Sequence, residues 1–104
     1  MSEFKQRALT YHQALRQLLM LEWDPIGVKG IAEAQDEYDS YIPKIYQLLI
    51  ERRPRHELFD YLWWAVTENM GLCGNRRETE RVVDLLFILP EQLQASLPRA
   101  GGDP

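Results

Sequence analysis

Six carboxylates fall between Glu22 and Asp39: Glu22, Asp24, Glu33, Asp36, Glu37 and Asp39, with Lys29 the one base among them. Oxygen ligands at this density suit a hard cation such as calcium or magnesium. The spacing is not that of an EF-hand loop, which needs Asp-x-Asp-x-Asp-Gly and a closing Glu at its twelfth position. Asp36 and Asp39 are three apart and share a helix face, whereas Glu37 points elsewhere. The plainer reading is electrostatic, because acids gather in the first turn of a helix where the macrodipole favours negative charge. No metal is assigned to these residues. A small metal- or ligand-binding protein using Asp24, Asp36 and Asp39 stands as the alternative function.

His56-Glu57-Leu58-Phe59-Asp60 begins like the HExxH helix of a zinc hydrolase. Asp60 stands where the second histidine must be, and His12 is the only other histidine, so the ligand set is too small. His56 reads as an ordinary first-turn residue. Cys73 lies between Leu72 and Gly74, with Arg76 and Arg77 close behind. A thiolate nucleophile needs an activating setting and a general base, and no base accompanies it. A single cysteine also excludes an intrachain disulfide and a multi-cysteine zinc site. No catalytic residue, no cofactor and no enzyme activity are expected.

Trp63 and Trp64 are adjacent, so on a helix their directions differ by about 100°. Trp63 falls in line with Phe59, Val66 and Met70 on a core stripe. Trp64 aligns with Glu57, Asp60 and Glu68 on the polar face. An exposed tryptophan among carboxylates has the composition of a binding hot spot for an Arg- or Lys-bearing partner. The competing reading packs Trp64 under the Trp23 loop or the C-terminal segment, since a small bundle uses most of its large side chains in the core. Arg52, Arg53 and Arg55, then Arg76, Arg77 and Arg81, form two small basic groups; interleaved acids favour structural pairing over phosphate contacts.

The elements that must position these residues are helical. At 104 residues, 45% apolar and 27% charged, the chain has the composition of one ordinary globular domain. A net charge of −4 and a pI near 5.1 argue against a nucleic-acid footprint and leave room for a cationic partner. The charged start has no apolar signal region, and no apolar run approaches the ~20 residues that span a bilayer, so neither a leader nor a membrane is expected and a cytoplasmic location follows.

From Phe4 to Glu22 apolar residues recur at Phe4, Ala8, Tyr11, Leu15, Leu18 and Leu19, one stripe of a first helix. Pro25 stops it and should hold Asp24 extended. Asp24-Pro25-Ile26-Gly27 fits a type I turn, with Asp first, Pro second and Gly last, and Ile31 and Ala32 are expected to pin the loop to the core. A second helix is expected over Ala34–Arg52, with Tyr38, Tyr41, Ile42, Ile45, Leu48 and Leu49 inward. Pro43 implies either a kink or a helix proper that begins near Ser40. Pro54 reads as the first residue of a third helix that runs to Met70, with Gly71 as its C′ glycine. Asn75 and Glu78 resemble an N-cap pair for a fourth helix that ends before Pro90, and Pro90 starts a short fifth helix through Leu97. The domain is 1–97, and 98–104 reads as a flexible tail. The expected fold class is all-α: a compact antiparallel bundle of four main helices plus a possible short C-terminal fifth.

The run Leu21-Glu22-Trp23-Asp24-Pro25-Ile26-Gly27-Val28, followed by Asp36-Glu37-Tyr38-Asp39-Ser40-Tyr41-Ile42 and Met70-Gly71-Leu72, resembles the small bacterial family of YugE-like proteins from about Leu9 to Leu86. The resemblance implies a compact helical fold with no established activity. In size and class such a chain is also similar to the immunity proteins that bacteria pair with secreted toxin domains.

The functional expectation is a non-enzymatic protein-binding module, most concretely an immunity protein that neutralises a cationic bacterial toxin domain. Glu33, Asp36, Glu37, Asp39, Glu57, Asp60, Trp64 and Glu68 would supply the contacts. Trp23, Asp24, Pro25, Gly27, Tyr38 and Tyr41 form the structural motif, with Asp24 receiving backbone or Arg hydrogen bonds. The partner is another protein rather than nucleic acid or membrane, and the chain itself is a monomer or weak homodimer.

Overall fold

The first apolar stripe builds α1, Glu3–Leu18, in a computed structural model that describes residues 3–96. Leu15 and Leu19 are fully buried and Met20 and Trp23 nearly so. The end of the helix widens into a π turn, Leu19–Trp23, closed by the Asp24 N–H on the Leu19 carbonyl at 2.8 Å. Asp24 is not extended, contrary to the expectation for a residue before proline: it is left-handed, φ 31° and ψ 57°. Aspartate is one of the few non-glycine residues that tolerate this region, and its side chain is anchored by donors from the following loop. The Asp24–Gly27 turn is closed, with the Gly27 N–H donating to the Asp24 carbonyl at 3.1 Å. Ile31 and Ala32 do not pin the loop. Both are exposed, and Val28 packs against the core instead because Asp24 draws its N–H inward.

The second helix does not begin at Ala34. Short 3-10 turns at Ala32–Ala34 and Asp39–Tyr41 lead into α2, Ile42–Ile50. Of the two expectations for Pro43, the later start holds: the proline sits in the first turn of α2, where its missing N–H breaks no helical bond. Tyr38, Tyr41, Ile42, Ile45, Leu48 and Leu49 are all buried. The helix ends in a Schellman motif, with the Arg53 N–H on the Leu48 carbonyl at 3.0 Å and the Arg52 N–H on that of Leu49 at 3.2 Å. Arg52 takes the left-handed position, φ 56°, where glycine is usual. Arg52→Gly is therefore expected to stabilise the fold by about 0.5–1 kcal/mol, the left-handed penalty less the entropy that glycine adds to the unfolded chain. A lower urea midpoint for this variant would show that the Arg52 side chain contributes more than its backbone strain costs.

Pro54 is the N-cap of α3, Arg55–Trp64, so the helix begins one residue later than expected. A second π turn follows, Ala65–Asn69. Here the Thr67 hydroxyl donates to the Trp63 carbonyl at 2.7 Å, a back-bond that competes with the regular ladder. Gly71, at φ 71°, reverses the chain after it. The Asn75 cap forms as expected, its Oδ1 accepting the Glu78 N–H at 3.0 Å.

The fourth helix does not stop at Pro90, and no fifth helix separates from it. α4 runs unbroken over Arg76–Ser96 with Pro90 inside. An interior proline costs about 3 kcal/mol. Continuity keeps Leu93 on the stripe of Leu86 and Leu89, against the core, and burying a leucine is worth about 1.5–3 kcal/mol. Packing thus offsets most of the penalty. Leu97 and the expected tail 98–104 lie outside the described residues.

The four helices form an all-α bundle, with no strand among the described residues. α2 packs against α1, α3 and α4, α3 runs beside α4, and α1 meets α4. No helix among the described residues is long and apolar enough to cross a membrane.

Candidate functional site

The π turn at the end of α1 delivers Trp23 to the core and Asp24 to the start of the loop. Asp24 Oδ1 accepts the Val28 N–H at 2.8 Å and the Tyr38 hydroxyl at 2.8 Å, while Oδ2 accepts the Lys29 N–H at 3.2 Å. The Tyr38 oxygen in turn accepts the Ile26 N–H at 3.1 Å. Burial works to raise the Asp24 carboxyl, but the Val28, Tyr38 and Lys29 hydrogen bonds and the Lys29 charge outweigh it and hold it below its ordinary value. Burial, and the facing Asp24 carboxylate, push the Tyr38 phenol well above its own. Asp24 thus commits three acceptor positions to tying a loop shut.

An aromatic chain leads from this clasp to the surface. Trp23 meets Tyr38 at 5.4 Å and Tyr41 edge-on at 5.5 Å between ring centroids. Tyr41 meets Tyr61 of α3 at 6.3 Å, and its hydroxyl oxygen accepts the Asn69 side-chain amide at 2.7 Å. Tyr61 stacks on Trp64, 5.7 Å apart and 20° from parallel. Trp64 ends the chain 45% exposed. The reading that buries it under the Trp23 loop fails for a simple reason: Tyr41 and Tyr61 occupy the space between them. One flank of the Trp64 indole is held by Tyr61 and the rest stands open among the described residues; the C-terminal segment from Leu97 on, the other cover expected for it, lies outside them.

Asp60 and Glu68 stand four residues before and after Trp64, both exposed and without an ion pair among the described residues. The other expected contact acids are less free. Glu57 is gripped by Arg53 through two bonds, 3.0 and 2.8 Å, and the Arg53 guanidinium holds its carboxyl below the ordinary value against a smaller opposing effect of burial. Asp39 is held by both Arg16 Nε, at 3.0 Å, and Arg16 Nη2. Asp36 lies within reach of the Arg16 charge, and Glu37 within reach of the Tyr38 phenol. Glu33 is exposed on the first 3-10 turn. The acids thus divide into a pair flanking Trp64, a group around the clasp, and two that are neutralised internally. Asp24, Asp36 and Asp39 do not converge: among the described residues no three His, Cys, Asp or Glu side chains come together as metal ligands.

The arginines pair as their interleaved acids suggest, Arg55 with Asp84 at 2.6 Å and Arg76 with Glu80 at 3.7 Å. Arg81 binds Glu78 at 2.7 Å, the Glu22 carboxylate at 2.9 Å and the Glu22 carbonyl at 2.8 Å, latching α4 to the π turn of α1. Tyr61, Asn69, Arg16 and the Glu22–Arg81 latch are the contributors that sequence reading misses. Arg53–Glu57 and Arg76–Glu80, at i and i+4, and Glu78–Arg81, at i and i+3, carry a local signal; Arg16–Asp39 and Glu22–Arg81 join residues far apart in the chain. Cys73 is exposed on the loop before α4, and His56 is exposed on α3. No family model, curated protein or solved structure matches the chain.

Proposed function

We propose that this protein is a non-enzymatic binding module, most concretely an immunity protein that captures and neutralises a cationic toxin domain in the bacterial cytoplasm. The observation that carries the reading is Trp64, exposed and stacked on Tyr61, with Asp60 and Glu68, unpaired among the described residues, one turn to either side. A rigid aromatic face beside two carboxylates is the complement of a guanidinium or ammonium side chain. The negative surface would speed encounter with a basic partner. The resemblance to the YugE-like proteins supplies a helical fold and no activity, so the surface bears the argument.

The test is affinity capture from source cells with wild-type and Trp64→Ala baits, at low and physiological salt. One stoichiometric basic partner, retained by wild type and lost by the variant, is expected; its retention by Trp64→Ala would remove the Trp64 face from the interface. With that partner in hand, Asp60→Lys with Glu68→Lys should lower the association rate by about tenfold or more and flatten its salt dependence. Rates that stay unchanged would sink the steering argument.

A further inference from the structure

We propose that the loop 24–38 is a second docking surface, which presents Ile26 and Ile31 to a cationic, apolar-faced segment of another protein. The Tyr38 hydroxyl on Asp24 Oδ1 draws the two ends of the loop together at 2.8 Å. Between them the Gln35 side-chain amide donates to the Lys29 and Ile31 carbonyls at 3.2 and 2.9 Å. The Ile31 and Ala34 N–H groups close successive turns on the Val28 and Ile31 carbonyls at 2.9 and 3.0 Å. The loop therefore satisfies much of its own backbone and is shaped before any partner arrives. Its aliphatic side chains are not used to hold it down. Ile26 is 41% and Ile31 47% exposed, and Val28 alone of the three packs against the core. A preformed loop gives up little conformational freedom on binding, so the two isoleucines can act as fixed knobs.

Unbalanced charge sets the occupant's chemistry. Lys29, the one base in the loop, is offset by Asp24, and the Arg16 guanidinium is committed to Asp39. That leaves Glu33, Asp36 and Glu37, all exposed, with no cation of their own among the described residues. These acids border the isoleucines. Glu37 acts on the same Tyr38 phenol that accepts the Ile26 N–H at 3.1 Å, and Glu33 is two residues beyond Ile31. Lysine or arginine beside leucine-sized apolar groups complements this surface, whereas an acidic protein or an anionic lipid surface is repelled.

The probe is a synthetic helical peptide of about 14 residues with leucines at i, i+4, i+7 and i+11 and lysines on its flanks. Its binding is followed by backbone amide shifts in the full chain. Shifts centred on Ile26, Ile31, Glu33 and Glu37 are expected. Affinity should fall about tenfold or more in Ile26→Ser with Ile31→Ser, in Glu33→Gln with Glu37→Gln, and when the peptide lysines are exchanged for glutamates. The serine substitutions leave the backbone donors and acceptors of the loop in place, so an unchanged melting temperature is expected for that variant. A melting temperature lowered by several degrees would overturn the proposal, because the isoleucines would then serve the chain's own fold. No shifts at millimolar peptide, shifts centred on Trp64, or equal binding of a scrambled peptide of the same composition would overturn it as well. So would concentration-dependent shifts at Ile26 and Ile31 without peptide, which would give the loop to a second copy of the chain. Trp64 lies on α3, outside this loop, so the loss of either surface leaves the other to be tested.

Discussion

Replacing Asp24 by alanine is expected to destabilise the fold by about 3 kcal/mol and lower its melting temperature by more than about 10 °C. The change removes the acceptor for two backbone donors and the buried Tyr38 hydroxyl together. It also leaves a left-handed φ of 31° to a side chain that tolerates it poorly. Asp24→Asn keeps one acceptor oxygen and suits the left-handed region, so about 1 kcal/mol is expected for it. Tyr38→Phe costs a similar amount by stranding the Ile26 N–H and one Asp24 lone pair. The two residues share a bond, so the double variant should lose less than the sum of the single ones, with a coupling of about 1 kcal/mol. Strict additivity in urea melts would mean that the clasp does not act as a unit.

The clasp also sets a pH window. Asp24 has a depressed folded pKa, so its contribution is complete above the ordinary carboxylate value near 3.8 and is lost as pH falls through the lower folded value. Tyr38 has a raised folded pKa, so its contribution is present below the ordinary phenol value near 10.0 and is lost as pH rises through the higher folded one. Stability should form a plateau between these limits. Exposed Arg53–Glu57 and Arg81–Glu78 pairs steepen the acid side at low ionic strength, because Glu57 and Glu78 are depressed as well. Added salt screens them and leaves the hydrogen-bonded Asp24 part. An acid limb unchanged in Asp24→Asn at high salt would contradict this account.

Gly74→Ala is expected to cost about 1–3 kcal/mol, although alanine is the smallest step from glycine. A Cβ on Gly74 would lie 2.4 and 2.6 Å from the Trp63 ring carbons and 2.9 Å from the Thr67 methyl. The ring has little freedom to retreat. It stacks on Phe59 at 5.7 Å, and the Arg76 guanidinium covers the Phe59 ring at 4.8 Å. The added methyl must therefore displace the Phe59–Trp63 pair or lift the loop before α4. Trp63→Phe should make room, so Gly74→Ala is expected to cost less in that background than in wild type. Equal costs in thermal melts would place the strain in the loop backbone rather than at the ring.

Much of the scaffold was legible because its signals are local. The apolar spacing through Leu15 and Leu19, the run from Tyr38 to Leu49 and the Asn75 cap each follow from periods and capping chemistry within a few residues. The Asp24–Gly27 turn was legible for the same reason. Pro90 misled because the rule that proline ends a helix is also local, whereas the packing of Leu86, Leu89 and Leu93 that carries α4 through it is not. Asp24 likewise departs from the pre-proline rule because its partner Tyr38 comes fourteen residues later and reaches it only in the fold.

The candidate site divides along the same line. Sequence alone placed Asp60, Trp64 and Glu68 on one flank of a helix, since four-residue spacing fixes angular position whatever surrounds it. Sequence alone also determined that the chain is acidic and helical and that HExxH is broken at Asp60. Only tertiary structure decided that Tyr41 and Tyr61 stand between Trp64 and the Trp23 loop, that Arg16 neutralises Asp39, and that Glu22 and Arg81 latch α1 to α4. Exposure and pairing depend on what distant segments bring alongside, and a helical period carries no information about those neighbours.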